Sequence, residues 1–195
     1  MSFWTENYSE IGSVNNPKRN FRFKVTFTEF DKLTDYGSSD LFYAKTAEKP
    51  SFTLGEVKHQ FLNHDFKFPG RVTWQDVNIT MVDPGPKSGD PETSATGVAS
   101  ALTMLLAVSG YELPVGPSSD YMTISKTKAV SGIGNVIVTQ LDHDGSAIEE
   151  WTLYNAFLAD VNYGTLSYAD DELTEYKITL RYDWASYTGI EFMPA

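Results

Sequence analysis

The sequence contains no cysteine in its 195 residues. This excludes disulfides, thiolate zinc sites and a cysteine nucleophile. No run approaches the roughly 20 consecutive apolar residues that span a bilayer. The amino-terminal segment MSFWTENYSE has neither the basic start nor the apolar run of a signal peptide. We therefore expect a soluble, unexported protein without a membrane partner, and the length favours a single domain over residues 1–195.

Positive charge is also scarce. The net charge is -11, and the segment from Ala129 to Tyr176 has no Lys or Arg but nine acidic residues. A protein that binds DNA tightly neutralises phosphates with cations, so this distribution argues against a DNA-gripping role. A solvated acidic face would give the same charge pattern.

Catalytic and nucleotide-binding motifs are missing as well. The sequence has no Walker loop, GxGxxG, HExxH or GxSxG motif. The glycines of SGIGN at 131–135 precede a strand, which predicts a strand-entry loop and not a phosphate site. Glu149 and Glu150 fall on opposite faces of a strand, which disfavours an acid/base pair. We predict no catalytic residue and no cofactor, and hence no enzyme.

One short segment has the side chains of a metal site. Residues 142–146 read DHDGS, and carboxylate and imidazole groups are ordinary cation ligands. The segment lies between two β-rich stretches, however, and Asp-Gly is typical of a hairpin turn. We predict a turn with a positive φ at Gly145 and no metal site. His59 and His64 lie in another strand region and form no recognisable ligand pair.

Alternation of apolar and polar residues predicts a mainly β protein. In NFRFKVTFTEF, the residues Phe21, Phe23, Val25 and Phe27 share one face, and TEYKITLRYDW repeats the pattern near the other end. Further β-rich stretches are LFYAKTA, EVKHQFLNHDFKF, VTWQDVNITMV, NVIVTQL and IEEWTLYNAFLADV. The apolar parity shifts after Trp74, which suggests a β-bulge near Gln75 or Asp76.

A single segment has helical periodicity. DPETSATGVASALTMLLAVSG offers Asp90 as N-cap and Pro91 at the first helical position, and it stops at Gly110. We predict an amphipathic helix on the flank of a sheet. Residues 1–17 form a predicted amino-terminal arm and residues 185–195 a carboxy-terminal tail.

The order of these segments resembles the tail tube proteins of contractile-tailed bacteriophages, which are related to secretion-system tube proteins. The resemblance covers most of residues 17–187. It lies in PKRNFRFKVTF, in AKTAEKPSFTLGEVKHQFLNHDFKFPGRVTWQDVNITMVD, and in EEWTLYNAFLADVNYGTLSYADDELTEYKITLRYDW. The first 16 residues, the Pro- and Gly-rich loop 83–91 and the stretch 111–134 depart from the pattern, which leaves contacts between rings and with the sheath unassigned.

The resemblance implies an antiparallel β-sandwich or barrel-like fold with one flanking helix. It implies a structural protein of the virion, made in the host cytoplasm, whose hexameric rings stack into the tube through which DNA leaves the capsid. Its implied partners are further copies of itself, the tail sheath protein, the baseplate and tape measure proteins, and viral DNA that passes without specific binding. A baseplate tube component or a secretion-system tube remains open, as does a soluble β-sandwich that binds or hydrolyses a ligand.

Two sets of residues are candidate functional surfaces. The stretch from Glu56 to Phe68 and the predicted hairpin from Val136 to Val161 carry apolar residues on both faces, more than one small domain can cover. Candidate subunit-interface residues are Phe61, Leu62, Phe66, Phe157 and Leu158. Alternation predicts a lumen lined by polar residues of the same strands, with the candidates Glu56, Lys58, Gln60, Glu150 and Thr152.

Overall fold

A computed structural model describes residues 18–29, 40–41, 44–83, 98–111, 123–169 and 171–188. The predicted arm 1–17 and the predicted helix start at Asp90 and Pro91 lie outside these ranges. The described residues form eleven strands and two helices: β1 Phe23–Phe27, β2 Asp40–Leu41, β3 Ala44–Ala47, β4 Phe52–Phe61, β5 His64–Trp74, β6 Val77–Val82, α1 Val98–Val108, α2 Lys126–Ile133, β7 Val136–Leu141, β8 Ala147–Tyr154, β9 Phe157–Asn162, β10 Glu175–Arg181 and β11 Trp184–Tyr187. The predicted tail therefore begins inside β11.

The strands form three antiparallel sheets. A five-stranded sheet has the order β11-β8-β7-β1-β2, a four-stranded sheet has the order β3-β6-β10-β9, and β4 and β5 form a sheet of their own. The two larger sheets and both helices contribute to one apolar cluster. The predicted mainly β, sandwich-like fold is confirmed, and this cluster is the core shared by its sheets and helices.

The two regions with the clearest alternation form strands as predicted. In β1, Val25 and Phe27 are buried, and in β10 the residues Tyr176, Ile178 and Leu180 are buried. Phe21 lies before β1 and is exposed. Alternation therefore identified the core face of both strands, because each has one face against the apolar cluster and the other towards polar surroundings.

The predicted helix is present from Val98, and Gly110 follows its end with a φ of 96°. The fold also has a second helix, α2, which the prediction of a single helix missed. Ser125 caps α2 by accepting a hydrogen bond from the Lys128 backbone N–H. The prediction of a loop for SGIGN is therefore wrong for Ser131–Ile133, although β7 does follow.

The stretch IEEWTLYNAFLADV is two strands and not one. Asn155 has a φ of 55°, which ends β8 in the five-stranded sheet, and the chain resumes as β9 in the four-stranded sheet. The Asn155 side chain donates to Asp183 Oδ2 at 2.8 Å and holds this corner. The predicted hairpin from Val136 to Val161 is therefore the β7–β8 hairpin followed by a strand of the other sheet. The predicted bulge near Gln75 or Asp76 is likewise the break between two strands: β5 ends at Trp74 and β6 begins at Val77.

Candidate assembly surface

The hairpin of β4 and β5 stands apart from the sandwich. Its strands have 10 and 11 residues, and no residue of either strand is buried. An isolated two-stranded hairpin is marginally stable in water at best. A hairpin of this length with both faces exposed therefore has a surface that the described part of the subunit does not cover.

Strand register separates the hairpin into two chemically different faces. Directly paired residues share a face. The first face, which we call the apolar hairpin face, has the pairs Val57 with Phe68, His59 with Phe66, and Phe61 with His64. The second, the polar hairpin face, has the pairs Glu56 with Pro69, Lys58 with Lys67, and Gln60 with Asp65.

The apolar hairpin face is exposed along its whole length. Phe61 is 60% exposed and Phe66 is 46% exposed, although phenylalanine is among the residues most often buried. The rings of His64 and Phe66 meet edge to face at a centroid distance of 4.8 Å. A contiguous apolar surface of this kind is typical of a protein–protein contact.

The polar hairpin face is held by weak ion pairs. Glu56 lies 3.1 Å from Lys58 Nζ and 3.5 Å from Lys67 Nζ. All three side chains are about half exposed, so these pairs add little to the free energy of folding. This face is suited to remain in water.

The base of the hairpin is fixed to the sandwich by aromatic packing. Phe52 packs edge to face on Trp74 at 5.3 Å, and Trp74 packs on Tyr182 at 5.9 Å. Burial raises the pKa of Tyr182 to about 12. Further out, β5 bulges opposite Gly55, where a Cβ on Gly70 would lie 3.0 Å from the Gly55 carbonyl group. Glycine at position 70 therefore allows the strands their close approach.

The structure groups some of the predicted site residues and separates others. Glu56, Lys58 and Gln60 share the polar hairpin face, whereas Phe61 and Phe66 share the apolar one. Leu62 forms the turn at the tip and is 88% exposed.

The remaining predicted residues lie on the sandwich. Phe157 and Leu158 are half-buried on β9, and Leu158 packs against the core. Glu150 and Thr152 lie on β8, half-buried, in a different sheet from the hairpin. The two halves of the predicted lumen set thus belong to separate sheets.

The four-stranded sheet has two unpaired edges. Within the described part of the chain, β3 and β9 each pair with a strand on one side only. Open edges invite pairing with another chain. The sequence pattern predicts strands at β3 and β9 but does not show that they lie at the edges of a sheet. Sequence reasoning therefore missed these edges.

A cluster of polar side chains surrounds Glu149 on β8. Lys18 Nζ donates to this carboxylate at 2.5 Å, and Lys49 Nζ and Trp151 Nε1 each donate at 2.7 Å. Burial of Glu149 opposes ionisation, but the three hydrogen bonds outweigh it and lower the pKa to about 2. The cluster joins the start of β1, the approach to the hairpin and β8, beside a cavity of about 390 Å³.

Residues 142–146 form the β7–β8 turn, as predicted. The Asp142 N–H donates to the Ser146 carbonyl at 2.8 Å, and Gly145 has a φ of 85°. Asp144 accepts hydrogen bonds from the Ser146 hydroxyl and N–H, which lower the pKa of that carboxyl. The ligand atoms of Asp142, His143 and Asp144 lie within 4.8 Å of one another. The absence of a metal here remains a prediction.

No helix among the described residues is long and apolar enough to cross a membrane.

No family model matches the sequence, and a comparison with curated proteins gives no match. Solved structures do share the fold. A chain of the six-fold symmetrised anti-feeding prophage baseplate has a TM-score of 0.58 at 16% identity, over 91% of this chain and 99% of that chain. The tube-terminating cap of the anti-feeding prophage has a TM-score of 0.56 at 17% identity, over 93% and 97% of the two chains.

A third structure is the extended sheath–tube complex of the PVC extracellular contractile injection system. It has a TM-score of 0.53 at 17% identity, over 91% of this chain and 95% of that chain. The chain therefore has the fold found in baseplate, cap and sheath–tube assemblies of contractile injection particles.

Proposed function

We propose that this chain is a structural subunit of an injection tube, and that copies of it assemble through the β4–β5 hairpin. The observation that carries this proposal is the apolar hairpin face, which is exposed along two strands of 10 and 11 residues. The fold shared with parts of injection particles supports a further copy of the same chain as the partner. No catalytic role is part of this proposal.

Rings of six copies form through the edges of the four-stranded sheet. The β9 edge of one copy pairs with the β3 edge of the next, which satisfies the free backbone groups of both strands. A contact between two different edges is heterologous and closes into a ring when the rotation fits. The number six is taken from the six-fold symmetry of the baseplate structure with this fold. Sheath, baseplate and tape measure proteins are the expected outer partners.

The channel of the tube passes DNA without binding it. The predicted lumen residues Glu56, Lys58, Gln60, Glu150 and Thr152 carry no net positive charge, so they offer a polyanion no attraction from counterion release. We expect Glu150→Lys to leave tubes intact but to make DNA passage slower and more salt-sensitive. Unchanged DNA passage at low salt, or a tube in which Glu150 lies on the outer surface, would contradict this channel proposal.

The assembly proposal is tested by two substitutions at neighbouring positions on opposite hairpin faces. Phe61→Asp places a charge on the apolar hairpin face, and Gln60→Asp places the same charge on the polar hairpin face. Negative-stain imaging at high protein concentration should show tubes for the unmodified chain and for Gln60→Asp, but not for Phe61→Asp. If Phe61→Asp assembles normally, the interface is elsewhere. If the unmodified chain stays monomeric and melts at a higher temperature with a ligand, the tube proposal is wrong.

A further inference from the structure

The hairpin joins the sandwich through two short connectors, residues 48–51 before β4 and residues 75–76 after β5. Their backbones meet where the Gln75 N–H donates to the Ser51 carbonyl at 2.9 Å. Beyond this point, β4 and β5 pair only with each other. The orientation of the hairpin relative to the sandwich therefore depends on how the connectors are held.

The first connector is tied to both large sheets. On the four-stranded sheet, the Glu48 N–H donates to the Asn78 carbonyl at 3.0 Å, and the Glu48 carboxylate accepts from Asn78 Nδ2 at 2.9 Å. On the five-stranded sheet, the Lys49 ammonium donates to Gln140 Oε1 at 2.8 Å and to Glu149 Oε1 at 2.7 Å. Two neighbouring residues thus hold the same connector from two sides.

The acceptors of Lys49 are buried, although Lys49 itself is half exposed. Gln140 is 6% exposed and Glu149 is 9% exposed, and the two residues pair directly across β7 and β8. Gln140 also donates to the Arg19 carbonyl at 3.2 Å, which fixes its amide group. Pro50 follows Lys49 and restricts the backbone of both residues. Lys49 therefore binds two well-fixed acceptors from a backbone with little freedom.

A small change of angle at this connector moves the hairpin tip far. A strand of 10 residues is about 33 Å long, so a rotation of about 10° at its base displaces the tip by about 6 Å. Packing in the core of an interface is as close as in a protein interior, and a displacement of that size would prevent it. A freely rotating hairpin must lose its freedom when copies join, whereas a restrained hairpin has already lost it.

We propose that Lys49 is a positioning residue for assembly, which sets the angle of the β4–β5 hairpin in the single subunit by binding Gln140 and Glu149. This inference rests on the proposed function and deepens it, because it names the contact that prepares the hairpin before copies join. The apparent dissociation constant for assembly rises as the fraction of subunits with the competent hairpin angle falls. Loss of the Lys49 contact therefore weakens assembly without altering the surface of the hairpin.

Lys18 provides a matched control. Its ammonium donates to the other oxygen of the same carboxylate, Glu149 Oε2, at 2.5 Å, and its side chain is 49% exposed against 47% for Lys49. Lys18→Met and Lys49→Met each remove one cation from Glu149, but only Lys49→Met releases the connector. We expect Lys49→Met to raise the concentration for tube formation about tenfold, and Lys18→Met to change it less than about twofold. Light scattering and negative stain measure this concentration.

Distance measurements on single subunits report the hairpin angle directly. Because the chain has no cysteine, Gln60→Cys on the hairpin and Lys177→Cys on β10 can each carry one spin label, and both positions are exposed. Pulsed electron paramagnetic resonance below the assembly concentration should give a narrow distance distribution for this labelled chain, with or without Lys18→Met. Adding Lys49→Met should broaden or shift the distribution. Glu149→Gln removes the charge that binds Lys49, so it should have the same effect and keeps the test available if Lys49→Met does not fold.

Each other result overturns a specific claim. An unchanged distance distribution in Lys49→Met and Glu149→Gln would show that Lys49 does not set the hairpin angle, so the inference is wrong and the proposed function stands. A broader distribution with an unchanged assembly concentration also overturns the positioning role, as do equal effects of Lys18→Met and Lys49→Met on assembly. If the unmodified chain forms no tubes, the proposed function fails, and the distance distributions still decide whether Lys49 sets the hairpin angle.

Discussion

The sandwich and the β4–β5 hairpin both contain strands with an apolar face, but that face is buried in the sandwich and exposed in the hairpin. In β10, every second residue is apolar and is buried in the core cluster. In β4, Val57 and Phe61 lie on one face past the bulge with His59 between them, yet both apolar residues are exposed. Alternation identifies which residues share a face, but only a second layer decides whether that face is buried. In the hairpin, we propose, that second layer is another subunit.

The largest expected difference is between two phenylalanines in these regions. Phe27→Ala removes a ring that is 3% exposed in the sandwich, which should cost about 3–5 kcal/mol of unfolding free energy. Phe66→Ala removes a ring that is 46% exposed on the hairpin, so it should cost the dispersed subunit less than about 1 kcal/mol. Urea unfolding at a concentration below assembly measures both values. Equal costs would show that the hairpin is packed within the subunit.

The Glu149 cluster should be the next largest effect, because it holds the approach to the hairpin against the sandwich. Glu149→Gln removes the negative charge that faces Lys18 and Lys49. Both lysines are about half exposed, so we expect a loss of only about 2 kcal/mol. Chemical unfolding at pH 7 measures this loss, and Glu150→Gln on the opposite face is the matched control.

The same cluster predicts a pH window for folding stability. The folded-state pKa of Glu149 is about 2, below the ordinary value of 4.5. The stabilisation should therefore be complete above pH 4.5 and should be lost as the pH falls from 4.5 towards 2. Unfolding free energies across this range should converge for the unmodified chain and Glu149→Gln. A constant difference between the two down to pH 2 would contradict the assignment.

The smallest expected difference in stability is between two turn residues, Gly145 in the β7–β8 turn and Leu62 at the tip of the β4–β5 hairpin. In the sandwich, Gly145 takes a φ of 85° with open space around it, so Gly145→Val should cost about 1 kcal/mol through backbone strain. At the hairpin tip a leucine takes a φ of 52°. Leu62→Gly should therefore leave the dispersed subunit equally stable or up to about 1 kcal/mol more stable, and it should weaken assembly through the hairpin. Thermal melts and sedimentation of the same samples compare both effects. A Leu62→Gly subunit that is less stable but assembles normally would contradict the role of Leu62 as an interface residue.

Much of the sandwich was predictable because local patterns and tertiary burial agree there. The β1 and β10 faces and the turn at Gly145 each follow from a signal within a few residues. The missed features depend on distant contacts. α2 is short and mostly polar, and its only firm signal is Ser125, which is also an ordinary loop residue. The left-handed Asn155 separates β8 from β9, and nothing in the alternation around it requires a change of sheet.

The candidate site was predictable in part for the same reason. The strand register places Phe61 and Phe66 on one face of the hairpin and Gln60 and Lys58 on the other, as alternation predicts.

Hydrogen exchange before and after assembly tests the central claim most directly. Amides of the hairpin between Val57 and Phe68 should exchange quickly in dilute, dispersed subunits, because both strands are edge strands with exposed faces. In assembled tubes the same amides should become strongly protected, while the already buried strand β10 changes little. Hairpin amides that exchange equally fast in dispersed subunits and in tubes would contradict the claim that the hairpin joins the subunits.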